Sequence, residues 1–433
     1  MFKFKSLKNS EFMNNVTTLV SGKLGVAVIS FLLVPLVARL FSPSDYGVVA
    51  MLISAIVVAG PVSTLCYELA IILPEKKQTA FSLLHVVLAA LFCSAILICA
   101  AIAIAKYYSV DNSTIDALGL WIWVLPVFIV MTGINNALES LMVRTKNFSI
   151  IAKAWVLRAL MLPSSRIGIG YVYGSSIWAL IVGYFIGVAC RFGVLWGSLD
   201  SKTKKEISNI SAKNTIKAAK EYKDFPVFNT PARFVRQLSD NIPILMFGYF
   251  YAPEIVGYYA MASRVVQMPA ESLVNSVRKV YLQKTAEMTI NGKRINTIMV
   301  KATIGLAVLG IIPFGLLYLY GQGIIVMLLG DTWMTAGTYA EKLAPWFFTM
   351  WITMPSSALY IVLRRQQIWL RIQIFVMIVR ITAFVVPQYY GATSGDALEY
   401  FVIASALMNI MIIIYSFAAF WHEGANKGGK ENG

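Results

Sequence analysis

Apolar residues along this chain gather into twelve blocks, each long enough to cross the hydrocarbon core of a bilayer as a helix of about 20 residues. They fall near 14–40, 46–72, 79–105, 117–142, 148–172, 176–198, 226–252, 255–281, 298–320, 335–363, 366–389 and 396–421. The first block is too long for a signal-peptide core and lacks a small-residue cleavage site, so it is expected to remain as an anchor. The connectors alternate in charge. One set carries Lys3, Lys5, Lys8, Lys76, Lys77, Arg144, Lys146, the lysines between Lys202 and Lys223, Lys284, Lys293, Arg294, Arg364, Arg365, Lys427 and Lys430. The other carries Asp45, Asp111, Asp116, Glu254, Asp331, Glu341, Asp396 and Glu399. Lys and Arg are retained on the cytoplasmic side during insertion, which predicts that both termini and the 199–224 connector are cytoplasmic.

The second half of the pattern echoes the first. Phe41-Ser42-Pro43-Ser44-Asp45-Tyr46-Gly47-Val48-Val49-Ala50-Met51 is answered by Tyr251-Ala252-Pro253-Glu254-Ile255-Val256-Gly257-Tyr258-Tyr259-Ala260-Met261, with Pro, Gly, Ala and Met recurring at an interval of 210 residues. Duplication of this length in hydrophobic sequence is typical of secondary transporters. Six spans per copy is an even number, so both copies enter the membrane in the same sense. The expected fold is therefore all-α and integral to the membrane, with 12 transmembrane helices in two six-helix lobes related by a pseudo-two-fold along the membrane normal. The lobes are expected at 1–198 and 225–421, with a basic linker at 199–224 and a tail at 422–433. A cleft between such lobes is the natural substrate path.

Composition supports this assignment: 58% of residues are apolar and 13% charged, against about 25% charged in soluble domains. Little chain remains for an extramembrane catalytic domain. Cys66, Cys93, Cys99 and Cys190 all lie in apolar runs, where a thiol packs as a small hydrophobe, and no CxxC spacing exists. His85 and His422 are too few and too far apart to hold a metal. Nucleotide-binding, metalloprotease and serine-hydrolase motifs are absent, so no nucleotide-driven engine and no cofactor are expected. The net charge of +16 follows from the basic connectors, which point to membrane lipids as partners and not to nucleic acid. The stretch from Ser201 to Lys223 reads as an amphipathic helix on the inner leaflet.

A charge at the bilayer centre costs about 2.5–3.5 kcal/mol on insertion scales, so ionisable residues inside spans face water, a partner or the interface. Lys23, Glu68, Glu139, Arg158, Arg191, Arg233, Arg236, Asp240, Arg264, Glu271 and Arg380 lie deep in the blocks, whereas Arg39, Lys153, Arg166, Arg278 and Arg371 lie close enough to ends to snorkel. Arg233, Arg236 and Asp240 share one helical face, and Arg236 can pair with Asp240 at i, i+4. Arg264, Glu271 and Arg278 recur every seven residues with Asn275 between them, a second polar stripe. Lys23 stands 210 residues before Arg233, at the same depth of the same repeat helix. Two readings remain open: internal ion pairs that fix helix packing, or a cationic cavity for an anionic ligand. The basic excess favours the second. Arg matches phosphate oxygens with a rigid donor fork and Lys adds a point charge, so pyrophosphate is a fitting guest. Gly60-Pro61, Pro126, Pro163, Pro269 and Pro355 interrupt blocks, and breaks in the repeat-related second and eighth spans would suit helices that bend during alternating access. Gly183 and Gly187 form a GxxxG suited to close helix packing.

Three stretches carry a family resemblance: Leu40-Phe41-Ser42-Pro43-Ser44-Asp45-Tyr46-Gly47, Tyr67-Glu68-Leu69-Ala70-Ile71-Ile72-Leu73-Pro74, and Leu328-Leu329-Gly330-Asp331-Thr332-Trp333. They resemble the polysaccharide-biosynthesis branch of the multidrug/oligosaccharidyl-lipid/polysaccharide (MOP) exporters, specifically the Wzx-type O-antigen flippases. The resemblance spans essentially the whole chain. It implies a V-shaped flippase that moves undecaprenyl-pyrophosphate-linked sugar repeats for O-antigen, capsule or exopolysaccharide across a bacterial inner membrane by alternating access. It also implies a cationic central cavity, here Lys23, Arg233, Arg236 and Arg264, extended by Arg158, Arg191 and Arg380. Asp240, Glu68, Glu271, Glu139 and Asn275 are the expected ion-pair or coupling residues. Where related lipid flippases carry more arginine on the first two spans, this chain has Lys23, and Ser54 stands opposite Arg264 in the repeat. Coupling to a proton or sodium gradient is expected, and a polysaccharide polymerase and a chain-length regulator are expected partners. The alternatives are a peptidoglycan-precursor flippase or cation-coupled drug exporter of the same superfamily. A membrane glycan polymerase, ligase or glycosyltransferase is disfavoured, because such enzymes need a long outward loop and every outward connector here is short.

Overall fold

A computed structural model of the chain describes residues 10–108, 118–290, 295–363 and 365–420. Among the described residues there is no strand, and helix is found in each of the expected intervals, two of them interrupted. The α-helices are α1 (Ser10–Leu40), α2 (Pro43–Thr64), α3 (Tyr67–Ala70), α4 (Lys77–Tyr107), α5 (Leu125–Arg144), α6 (Phe148–Tyr173), α7 (Ile177–Gly197), α8 (Ser201–Ser208) and α9 (Ala212–Glu221). They continue as α10 (Thr230–Phe250), α11 (Pro253–Ile290), α12 (Asn296–Leu329), α13 (Met334–Ile352), α14 (Met354–Val362), α15 (Gln366–Gln388) and α16 (Ser394–Phe420). Seven helices among the described residues are long and apolar enough to cross a membrane: α2, α4, the helical run Gly119–Arg144 that ends in α5, α7, α12, α15 and α16. The remaining intervals fall short for physical reasons. Helices α6, α10 and α11 carry ionisable residues within their expected spans, and the tenth interval is divided at Thr353 into α13 and α14.

The expected paired breaks are not both present. The second block stops at Thr64, where Leu65 (φ 51°) and Cys66 (φ 54°) both adopt left-handed backbone before α3 restarts the helix. Two consecutive non-glycine residues in that region are costly. Local bonds hold the turn: the Thr64 hydroxyl donates to the Gly60 carbonyl at 3.2 Å and accepts from the Cys66 amide at 3.3 Å. The repeat-related α11 runs from Pro253 to Ile290 as one helix.

The chain divides into two compact units, one of residues 1–41 and 52–234, the other of 42–51 and 235–433. In lipid there is little hydrophobic drive between helices, so close approach through small residues decides the packing. In the first unit, α6 lies between α1 and α7. Gly183 and Gly187, the GxxxG pair, receive Arg166 and Leu162 of α6, so the motif packs within the unit, and Gly133 of α5 receives the Leu91 side chain of α4. Helix α9 docks on α4, and the Tyr67 hydroxyl donates to the Ala219 carbonyl at 2.9 Å. In the second unit, α13 is the hub, packed by α11, α12 and α16. Its core is aromatic: Phe384 meets Phe247 edge-on at 4.9 Å, and Trp346 meets Phe401 at 4.8 Å.

The echoed sequences meet inside the second unit. A Cβ on Gly47 would overlap the Pro253 carbonyl oxygen, and a Cβ on Gly257 would overlap the Pro43 carbonyl oxygen. The first turns of α2 and α11 therefore cross backbone to backbone in a reciprocal contact that only glycine permits. Fully buried Trp333 backs the crossing, with its ring edge-on to Tyr46 at 5.4 Å and to Tyr258 at 6.3 Å.

Candidate functional site: two arginine clusters

In the first unit, α5, α6 and α7 converge on one carboxylate. Glu139 Oε2 accepts from Trp155 Nε1 at 3.0 Å and from Arg191 Nη2, whose side chain is almost fully buried. Just above, Asn135 joins α5 to α7 by donating to the Val188 carbonyl at 3.1 Å. Arg158 lies one helical turn from Trp155, and its guanidinium sits 5.7 Å from the Tyr184 ring centre, within electrostatic reach of Arg191. A second guanidinium thus stands beside the Arg191–Glu139 pair, and the aromatic face of Tyr184 takes up part of the excess charge.

A second pair closes the cytoplasmic-expected end of α2 in the same unit. Arg233 Nη1 donates to Glu68 Oε1 at 3.0 Å; Glu68 is buried and Arg233 is half-exposed. Glu68 follows directly on the left-handed turn, so the backbone break aims this carboxylate at α10. Helix α10 itself starts from a π-helical turn at Phe225–Asn229.

The second unit places its charges around a proline. Pro243 lies inside α10 and has no N–H to offer the Ser239 carbonyl four residues earlier. Arg380 of α15 takes that carbonyl at 3.3 Å and the Ser239 hydroxyl at 3.1 Å. This is the kind of cross-helix rescue a freed carbonyl needs inside a membrane. Arg380 is buried, with its guanidinium 5.4 Å from the Trp346 ring centre and 5.9 Å from that of Phe401. Asp240, the next residue, is within electrostatic reach of Arg380 and lies 3.8 Å from Arg236 Nε. Arg278 of α11 is in turn within reach of Arg236. Two guanidinium groups, those of Arg236 and Arg380, therefore flank one carboxylate, and a third, that of Arg278, stands behind Arg236.

The structure joins Arg236 to Asp240 as the i, i+4 spacing predicts, and joins Glu139 to Arg191 and Glu68 to Arg233 across elements. Arg264 is exposed on α11. The side chains of Lys23, Glu271 and Asn275 lie outside the described residues, as do both termini. Two assignments change. Arg166, expected to snorkel, is buried, because its side chain packs onto Gly183 of α7, and its Nε donates to the Leu180 carbonyl at 3.1 Å. Arg278, also expected at an interface, is half-buried near Arg236, because α11 extends nine residues past the expected end at 281. Sequence reasoning missed Ser239, Pro243, Trp346 and Phe401. The i, i+4 spacing of Ser239 and Pro243 beside Asp240 was the available signal. Among the described residues no group of three or more His, Cys, Asp or Glu could hold a metal ion.

Comparison with solved structures gives the fold. The chain is similar to the lipid II flippase MurJ in an inward closed conformation, with a TM-score of 0.68 and 13% identity over 94% of this chain and 90% of that one. It is also similar to a multidrug resistance MATE family transporter of the MOP superfamily. The TM-score is 0.56 at 12% identity in both its inward-facing and outward-facing conformations, over 95% of this chain and 96% of that one. No curated protein sequence matches the chain significantly. The family described as polysaccharide biosynthesis protein matches residues 36–337, which include the reciprocal glycine crossing, the Glu139 cluster and the Arg236–Asp240 pair. The chain is thus a multi-pass helical membrane protein with the MOP-exporter fold, and it belongs to the polysaccharide biosynthesis protein family.

Proposed function

We propose that this protein is a flippase that moves undecaprenyl-pyrophosphate-linked oligosaccharide repeats from the cytoplasmic to the periplasmic leaflet of a bacterial inner membrane by alternating access. The observation that supports this reading is the surplus of arginine over carboxylate inside the second unit, with Arg236 and Arg380 beside Asp240 and Arg278 beside Arg236. Structural ion pairing alone would match acid to base. A surplus of fixed cations within a membrane lobe is stable only beside water or an anion. Pyrophosphate supplies that anion, and the planar guanidinium fork grips its oxygens bidentately. In the first unit, likewise, Arg158 stands beside the Arg191–Glu139 pair. In this reading the polyprenyl tail stays in lipid, the termini face the cytoplasm, an ion gradient drives return of the empty carrier, and a polymerase and a chain-length regulator take the product.

The test is a deletion strain complemented with Arg236→Ala. Each charge-assisted contact to phosphate is worth roughly 1.5–3 kcal/mol, so loading should weaken about tenfold or more. The expected result is accumulation of a lipid-linked glycan with the protein still present in the membrane. The glycan's composition identifies the repeat unit, and a peptidoglycan precursor in its place would move the assignment to that branch of the superfamily.

A further inference from the structure

Arg380 carries a full charge at a site only 6% exposed, yet the partners it donates to are neutral: the carbonyl and hydroxyl of Ser239. Its Nε is buried without a hydrogen-bond partner, and the faces of Trp346 and Phe401 enclose it. Among the described residues the carboxylate next to this guanidinium is that of Asp240, and it is turned toward Arg236. That second contact is loose. At 3.8 Å it exceeds the 2.7–2.9 Å of a charge-assisted hydrogen bond, and both side chains are more than half exposed. An exposed pair of this kind is weak enough to be exchanged, and Arg380 stands beside it as a second, buried cation that can take the acid once Arg236 is occupied.

We propose that Asp240 changes partners with loading: it pairs with Arg236 in the empty protein and passes to Arg380 when a pyrophosphate oxygen takes Arg236. The inference rests on the phosphate reading of Arg236 given above and adds a positioning role for Asp240 and Arg380. It turns arrival of an anion at α10 into a new bond between α10 and α15. The backbone at the handover is suited to it, since Pro243 leaves the Ser239 carbonyl outside the helical ladder and α10 can bend there. By reciprocity, whatever strengthens the Asp240–Arg380 bond on loading must strengthen anion binding equally.

The experiment titrates purified full-length protein with inorganic pyrophosphate and compares wild type, Asp240→Asn, Arg380→Gln and the double variant, with glycan export measured in parallel in the deletion strain. Asp240→Asn removes the competitor at Arg236, so pyrophosphate should bind about two- to fivefold more tightly, the scale of an exposed ion pair, while export falls. Arg380→Gln should weaken pyrophosphate binding when Asp240 is present and change it no further when residue 240 is Asn. Arg380→Lys keeps the charge and should restore most of the binding, and the sign of the Asp240→Asn effect decides the matter even where an Arg380 variant does not fold. Unchanged or weaker binding by Asp240→Asn, or an Arg380→Gln effect that persists undiminished beside it, overturns the handover while leaving pyrophosphate recognition intact. Failure of the wild-type protein to bind pyrophosphate overturns both.

Discussion

Glu139 and Asp240 are each a carboxylate set beside arginine inside a helical unit, and they are used in opposite ways. Glu139 is committed: one oxygen takes both Trp155 and the buried Arg191, and Asn135 ties the helices of Glu139 and Arg191 together. Asp240 is half-exposed and 3.8 Å from Arg236, with the Arg380 guanidinium also within reach. The difference shows that charge inventory alone does not separate a packing element from a binding element. What separates them is whether the acid is spent. A committed acid fixes three helices, whereas an uncommitted one beside surplus arginine leaves attraction available for a ligand.

The largest effect that would break this comparison lies at the committed site. Glu139→Ala strands Arg191 in a buried position without its counter-charge, and loss of one partner of a buried pair costs about 3–5 kcal/mol. Thermal unfolding in detergent should show a large drop, whereas Asp240→Ala should leave the melting point near that of wild type. Equal melting points for the two variants would erase the distinction. Next in size, Arg236→Ala should lower loading about tenfold with stability retained, and Arg236→Lys should recover part of it, as measured by export and by membrane abundance. Smaller still, Tyr184→Leu removes the ring beneath Arg158 and should cost about 0.5–2 kcal/mol of stability, read from the same unfolding curves.

The smallest effect lies outside the membrane and serves as a reference for both sites. The Asp200 carboxylate caps α8 by accepting from the Thr203 amide at 3.3 Å, and bonds to Thr203 hold its pKa below the ordinary aspartate value. A depressed folded-state pKa means the cap contributes fully above the unfolded pKa and is lost as pH falls through the folded one. Hydrogen exchange at the Thr203 amide should therefore be slow at neutral pH, accelerate below the usual aspartate range, and be fast at all pH values in Asp200→Ala.

How much of this was legible in the sequence follows the range of the interactions. Blocks of apolar residues located all twelve helical intervals, because span length is set locally by bilayer thickness. The 210-residue echo pointed to Gly47 and Gly257 as equivalent positions, and those are the residues that cross. Arg236 with Asp240 was readable because i, i+4 geometry is a property of one helix. The pairing of Glu139 with Arg191, or of Arg233 with Glu68, was not, since it depends on which helices become neighbours. The turn at Leu65 and Cys66 was hidden for a different reason: neither residue is a glycine, so no local signal marks left-handed backbone. Pro243 was in plain view, but its meaning required Arg380 to be opposite the carbonyl it frees.

The most direct test of the central claim, that surplus arginine in the second unit receives the pyrophosphate of a lipid-linked glycan, is binding of undecaprenyl-pyrophosphate-linked glycan to purified protein carrying Arg236→Ala together with Arg278→Ala. The account predicts affinity lower by a factor of about a hundred, two charge-assisted contacts being lost at once, with an unfolding temperature close to wild type. Undiminished affinity in a stably folded double variant would contradict it and return these arginines to a packing role.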